Sequence, residues 1–323
     1  MKSSWVNKTH VEGYIFNKGD GRRALQKRVA GENAKNPGQE YIQGELNVAT
    51  DESATNVITV YFSYVTPTWP AKNGKPERPN TTYQALETII NSGTTYEEVG
   101  TAATKVRIDG NIGVNDFYTR DGELASPKRI EGSFIHLMNG GEKIADRAAT
   151  FEADMVIAGV TEQELEDEPN YLRLRGYVFN FRNDVLPVEF SVRSEGGIKY
   201  FESQDISNSN PMVTKVWGDI LSTIIQIEHE VESAFGDPTV NVTTRTIRSW
   251  DVIGASAEPM EWDDDSTITK AELKQKLSER EERLADQKKR DEEYRNSQSG
   301  KSGFPTSTAS SQVEEDDDDD FPF

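Results

Sequence analysis

The sequence predicts a mainly β protein: two five-stranded barrels in tandem, followed by a charged helical spacer and a disordered acidic tail. Three features predict it. Residues 1–262 alternate apolar and polar side chains over short runs punctuated by Gly, Asn, Asp and Pro, the pattern of half-buried strands. One run of helical period, Thr82–Ser92, falls between the third and fourth of these strands. After Trp262 the composition changes to Lys, Arg, Glu and Leu, and then to Ser, Gly, Thr and Asp.

In order, the first half offers strands at Val11–Asn17, Tyr41–Thr50, Asn56–Thr66, Lys105–Tyr118 and Lys128–Met138, and the second at Thr150–Val160, Tyr171–Arg182, Val185–Ser194, Val213–Glu232 and Thr239–Ala255. Ala103-Thr104-Lys105-Val106 is answered by Val213-Thr214-Lys215-Val216, each opening a long alternating strand, which hints at a duplicated unit. Five strands with a helix between the third and fourth is the element order of the Greek-key OB barrel. The expected domains are residues 1–140 and 150–262. Thr267–Asn296 has no Gly or Pro and reads as a solvated helix of ~45 Å with a thin stripe of Leu273, Leu277 and Leu284; a coiled-coil contact is the other reading. Residues 297–323 read as a flexible linker and an acidic tip, the Ser/Gly-rich part reaching roughly 20–25 Å.

Composition excludes several function classes. The chain has no cysteine, so disulfides, thiolate zinc sites and a thiol nucleophile are out, and a reducing cytoplasm fits. His10, His136 and His229 lie far apart and show no ligand spacing. Neither a phosphate-binding Gly loop nor a nucleophile elbow is present. The expectation is no enzyme and no cofactor; Asp263-Asp264-Asp265 could hold Mg²⁺ but reads better as a polar domain end. No apolar run approaches the roughly 20 residues a membrane span requires, and the start MKSSWVNK lacks a signal core. Of the net charge of −20, residues 263–323 contribute 18 acidic and 10 basic side chains. The remaining body is acidic too, so binding a polyanion requires a local groove of cations and rings within the ~8–10 Å screening length.

Unpaired nucleic acid is held by stacking bases on rings while Lys and Arg track phosphates. Tyr171–Arg182 has that composition. At period two, Leu172, Leu174, Gly176 and Val178 share one face, and Tyr171, Arg173, Arg175, Tyr177, Phe179 and Phe181 the other. Arg193 follows on the next strand, and Lys199 and Tyr200 read as part of a hairpin beyond the Gly196-Gly197 turn, placed to clasp a strand. Lys215 with Trp217, and Arg248 with Trp250, project in pairs. The first barrel adds Tyr61, Lys105, Arg107 and a loop bearing Trp69, Lys72 and Lys75, with fewer cations.

The chain ends in DDDDDFPF: Asp316, Asp317, Asp318, Asp319, Asp320, Phe321, Pro322 and Phe323. Mutual repulsion keeps the aspartates extended, yet a solvating tail has no use for terminal rings. A hook that docks its last ring in an apolar pocket with a basic rim does. This end resembles the C-terminal tip of bacterial single-stranded-DNA-binding proteins and the acidic, Phe-terminated tails of their phage counterparts. The resemblance covers eight residues. It implies a protein that coats single-stranded DNA in replication, recombination or repair, whose tip recruits partners such as a polymerase, helicase, primase or recombinase and competes for the cationic groove. The chain is longer than the usual bacterial form and its barrels do not align by motif, which points to a phage-encoded or divergent version in the host cytoplasm, a monomer or dimer. A β-rich viral structural protein with a solubilising tail and an RNA-binding protein are the alternatives.

Overall fold

The computed structural model describes residues 5–71, 76–119, 121–164, 169–231, 239–262 and 268–299. In chain order the elements are β1 (Asn7–Asn17), β2 (Gln26–Val29), β3 (Glu40–Ala49), β4 (Val57–Val65), β5 (Thr68–Trp69), β6 (Arg78–Pro79), α1 (Thr81–Ser92), α2 (Tyr96–Val99), β7 (Lys105–Val114), β8 (Phe117–Tyr118), β9 (Leu124–Ala125) and β10 (Lys128–Leu137). There follow β11 (Ala149–Gln163), β12 (Tyr171–Phe179), β13 (Val185–Val192), α3 (Glu195–Glu202), β14 (Met212–Val231), β15 (Thr239–Ala255) and α4 (Lys270–Ser299).

Strand pairing closes two circuits of the same kind. In the first, β1 pairs with β3, β3 with β4, β4 runs parallel to β10, β10 pairs with β7, and β7 returns to β1. In the second, β11 pairs with β12, β12 with β13, β13 runs parallel to β15, β15 pairs with β14, and β14 returns to β11. Numbering each set one to five, both read 1-2-3-5-4-1 with a helix between three and four, the circuit of the OB barrel. The first strands of the two barrels then pair antiparallel, Asn7 opposite Ala153 through Val11 opposite Ala149, and join both barrels into one eleven-stranded sheet.

Period-two alternation places the cores. On β12, Leu172, Leu174, Gly176 and Val178 are buried between outward neighbours. Gly176 is required by close approach, since a Cβ there would lie 2.0 Å from the Val156 carbonyl oxygen on β11. Tyr83, Leu86 and Ile89 of α1 and Phe201 of α3 join the buried cluster, each large apolar side chain contributing about 1.5–3 kcal/mol. Asn80 caps α1, its side chain accepting from the Thr82 N–H. The second core carries a three-ring cluster, Phe151, Phe190 and Trp250, with centroids 4.6–6.1 Å apart.

Two segments differ from expectation. Glu195–Glu202 is a helix and not a hairpin: the Ser194 hydroxyl accepts from the Gly197 N–H, and Phe201 is buried with Ile198 packed against the core. Those contacts outweigh the ~1 kcal/mol helix penalty of each glycine. Helix α4 is not a solvated spacer. Ile268, Leu273 and Leu277 pack with Trp5, Phe179 and Val185 in a second apolar cluster. Farther along, Arg280 forks onto Asp116 at 2.7 and 2.5 Å, Gln287 donates to the Asp116 carbonyl, and the Tyr118 hydroxyl donates to the Leu284 carbonyl. A thin leucine stripe suffices because the helix lies across both barrels and ion-pairs between Leu277 and Leu284.

Candidate nucleic-acid interface

The outer row of β12 splits in two. Tyr171 and Arg173 are half-buried and Arg175 is exposed. Their neighbour Arg193 lies with its guanidinium carbon 4.5 Å from the Tyr171 ring centroid and its Nε 3.3 Å from Asp251. Arg173 approaches Glu189 only to 3.8 Å, and Arg175 donates a long bond of 3.4 Å to the Thr161 hydroxyl. The contacts of Arg173 and Arg175 are long and part-exposed and so worth little, which leaves these two guanidinium groups open to a phosphate, whereas Arg193 is held between the Tyr171 ring and Asp251. The other half of the row is covered. Tyr177 packs against the cluster beneath α4, and Phe179 is 1% exposed with its ring 4.7 Å from Trp5. Phe179 is therefore structural, because the C-terminal helix roofs that end of an otherwise outward face. Phe181 stands at the β12–β13 turn, 82% exposed, with Arg182 at 5.1 Å.

The remaining second-barrel candidates scatter. Lys199 pairs with Glu195 one turn earlier on α3. Tyr200 packs partly against the core and donates to the Ser256 carbonyl at 3.4 Å, burial pushing its phenol up. Neither clasps a strand. Trp250 is core; Arg248, two residues toward the hairpin tip, is exposed. Lys215 pairs with Glu152 at 3.1 Å, and Trp217 is on the surface.

In the first barrel the predicted cations are tied down. Lys105 donates to the carbonyls of Gly140 and Glu142 at 3.1 and 2.6 Å. Arg107 binds Glu12 at 2.5 Å and Glu142 at 3.7 Å. Burial pushes the Glu12 carboxyl up, but Arg107, the Ala145 N–H and His10 outweigh it and hold the group below the usual range. Tyr61 accepts from Gln43 at 2.7 Å. Trp69 is exposed on the small β5–β6 ribbon. Lys72, Lys75, Asp263–Asp265 and the tip from Asp316 to Phe323 lie outside the described residues.

Sequence reasoning missed Arg129 and Tyr64 on this side. Arg129 of β10 sits 4.4 Å above the Tyr61 ring, a contact between strands that sequence distance hides. Tyr41, legible as outward, pairs with Tyr64 at 4.6 Å. Tyr64 shares parity with the core residues Ile58, Val60 and Phe62, but a φ of +49° turns it out to 42% exposure. Nothing in the alternation signals that.

Lys128 spans the two barrels. It belongs to β10 of the first, yet its ammonium lies 4.9 Å from the Phe190 ring and 5.4 Å from Trp250, and donates to the Glu189 carbonyl. Burial lowers its pKa to about 8, against the pull of Glu189 and Asp251. Among the described residues no group of three or more His, Asp or Glu is placed to hold a metal ion, and no helix is long and apolar enough to cross a membrane.

No curated protein matches the sequence. Among solved structures, a deletion mutant of the single-stranded DNA binding protein from Thermus aquaticus is similar at 12% identity, covering 82% of this chain and 100% of that one, with a TM-score of 0.46. The family model named YorF matches residues 22–290, from just after β1 to well within α4, and the chain therefore belongs to the YorF family.

Proposed function

We propose that this protein binds single-stranded DNA without sequence preference and without catalysis, laying the strand along the open half of the β12 face. The observation that carries the reading is the row of Tyr171, Arg173 and Arg175 with Arg193 beside it, exposed or half-exposed on the second strand of an OB circuit. OB barrels take oligonucleotides on the face of strands two and three. Rings there give stacking that any base satisfies, at about 1–3 kcal/mol per base, and the guanidinium groups follow phosphates. The acidic body does not oppose this, because its repulsion is screened within about 10 Å.

The deciding experiment is quenching of intrinsic fluorescence by oligo(dT), with poly(U) alongside. Saturable quenching by oligo(dT) supports the reading, and preference for poly(U) moves it to RNA. Indifference to both ends it. The same reading gives the tip, Asp316 to Phe323, the role of recruiting replication or recombination proteins. Its deletion should abolish partner capture and leave DNA affinity unchanged or higher; a loss of DNA binding would contradict that role.

A further inference from the structure

The seam between the barrels holds a second feature suited to nucleic acid. Because β1 and β11 pair directly, β10, β7, β1, β11 and β14 lie side by side as one surface. A trough of about 820 Å³ runs across it, lined by residues of all five strands. One exposed ring comes from each barrel: Phe134 on β10, 49% exposed, and Trp217 on β14, 36% exposed. Four strand spacings separate β10 from β14, roughly 19 Å at ~4.8 Å each.

Trp217 is held as a platform. Gly254, its partner on β15, has no side chain, and a Cβ there would lie 2.5 Å from the indole Cε2 and Cζ2. The indole thus rests against backbone and turns part of its surface to the trough. Cations from both barrels line the same space: Lys8, Lys215 and Arg147. Lys215 and Arg147 are each paired with a carboxylate, Glu152 and Asp219. Lys8 is exposed and has no carboxylate partner among the described residues. Rings with cations between them are the features that hold bases and phosphates together.

We infer that the trough across the barrel seam is a second stacking site for the same single strand, with Phe134 and Trp217 each taking a base and Lys8 a phosphate. The inference rests on the single-stranded-DNA reading and extends it from one barrel face to a path spanning both. The test is an oligo(dT) length series on the full chain by fluorescence anisotropy, with Phe134→Ala, Trp217→Ala, Trp217→Phe and Lys8→Ala, each checked by thermal unfolding. Each alanine variant at a ring should weaken binding of long oligonucleotides about tenfold. Trp217→Phe should stay close to the parent, separating stacking from any loss of fold. Lys8→Ala should flatten the slope of log K against log salt by about 0.7, one phosphate contact on a single strand. If the parent chain binds and both alanine variants bind every length equally well, the trough is not a DNA site, and a protein segment or nothing occupies it. If the parent binds no oligonucleotide at all, the functional reading itself has failed.

Discussion

The two barrels share a strand circuit and differ in what they do with their outward side chains. The outer row of the second strand reads Tyr41, Gln43, Glu45, Asn47 in the first barrel and Tyr171, Arg173, Arg175, Tyr177 in the second. The first barrel does own cations, but Lys105 and Arg107 are fixed by carbonyls and a buried carboxylate. In the second, Arg173 and Arg175 have only distant or weak partners. Topology fixes where a face is, whereas the carboxylates within reach decide whether its cations are free for a ligand.

The largest expected effect concerns the helix that makes the comparison unequal. Arg280 is 8% and Asp116 14% exposed at the side chain, and removing one partner of a buried pair costs about 3–5 kcal/mol. Arg280→Ala should release α4 from the first barrel, read as faster hydrogen exchange and protease cleavage within 270–299. Unchanged protection would mean the leucine contacts, with the Gln287 and Tyr118 hydrogen bonds, hold the helix without Arg280.

Next in size is Arg107→Ala, which leaves Glu12 in a site 7% exposed without its strongest partner. Because Arg107 is itself 41% exposed, the cost is nearer 1–2 kcal/mol than the full buried-pair value. The expected result is a lower urea midpoint with oligo(dT) affinity unaltered at temperatures where the variant is folded. A drop in affinity instead would make Arg107 itself a DNA contact.

The matching change in the second barrel should do the reverse. Arg173→Ala with Arg175→Ala should leave the midpoint almost unmoved, weaken oligo(dT) binding about tenfold, and reduce the salt slope by about 1.4, two phosphates at ~0.7 each. A slope equal to that of the parent would place the DNA elsewhere.

Much of this architecture was legible in the chain. Thr239–Ala255 is a strand with the expected ends, and the other nine expected strands and Thr82–Ser92 differ from the structure mainly at their ends, because period-two burial is a local property. The β12 face was legible for the same reason as far as Arg175. Phe179 was not: its outward parity is real, but the roof over it comes from Leu273 and Ile268, some 90 residues later. Trp250 has the opposite problem, since parity with Arg248 cannot tell which side of a long hairpin faces a core. The Gly196-Gly197 pair read as a turn because the Ser194 cap and the Phe201 anchor act together only in three dimensions. Ion pairs such as Arg107 with Glu12, 95 positions apart, leave no mark on the sequence at all.

The last effect, read as a change with pH, tests the link between the barrels. An unfolded chain holds Lys128 at its ordinary value of 10.5, and the folded one at about 8. Between those values the unfolded state binds more protons, so stability should rise with pH across that window. Below pH 8 the buried charge opposes folding in full, with the rings of Phe190 and Trp250 and the Glu189 carbonyl offsetting part of it. Lys128→Met keeps most of the stem and removes the titration. The difference in urea midpoint between parent and variant should therefore shift in favour of the parent from pH 7.5 to pH 10, with Arg173, Glu189 and Asp251, the charges that act on Lys128, left intact in both. A difference that stays constant over that range would mean the ammonium is solvated and that Lys128 does not link the first barrel to the second core.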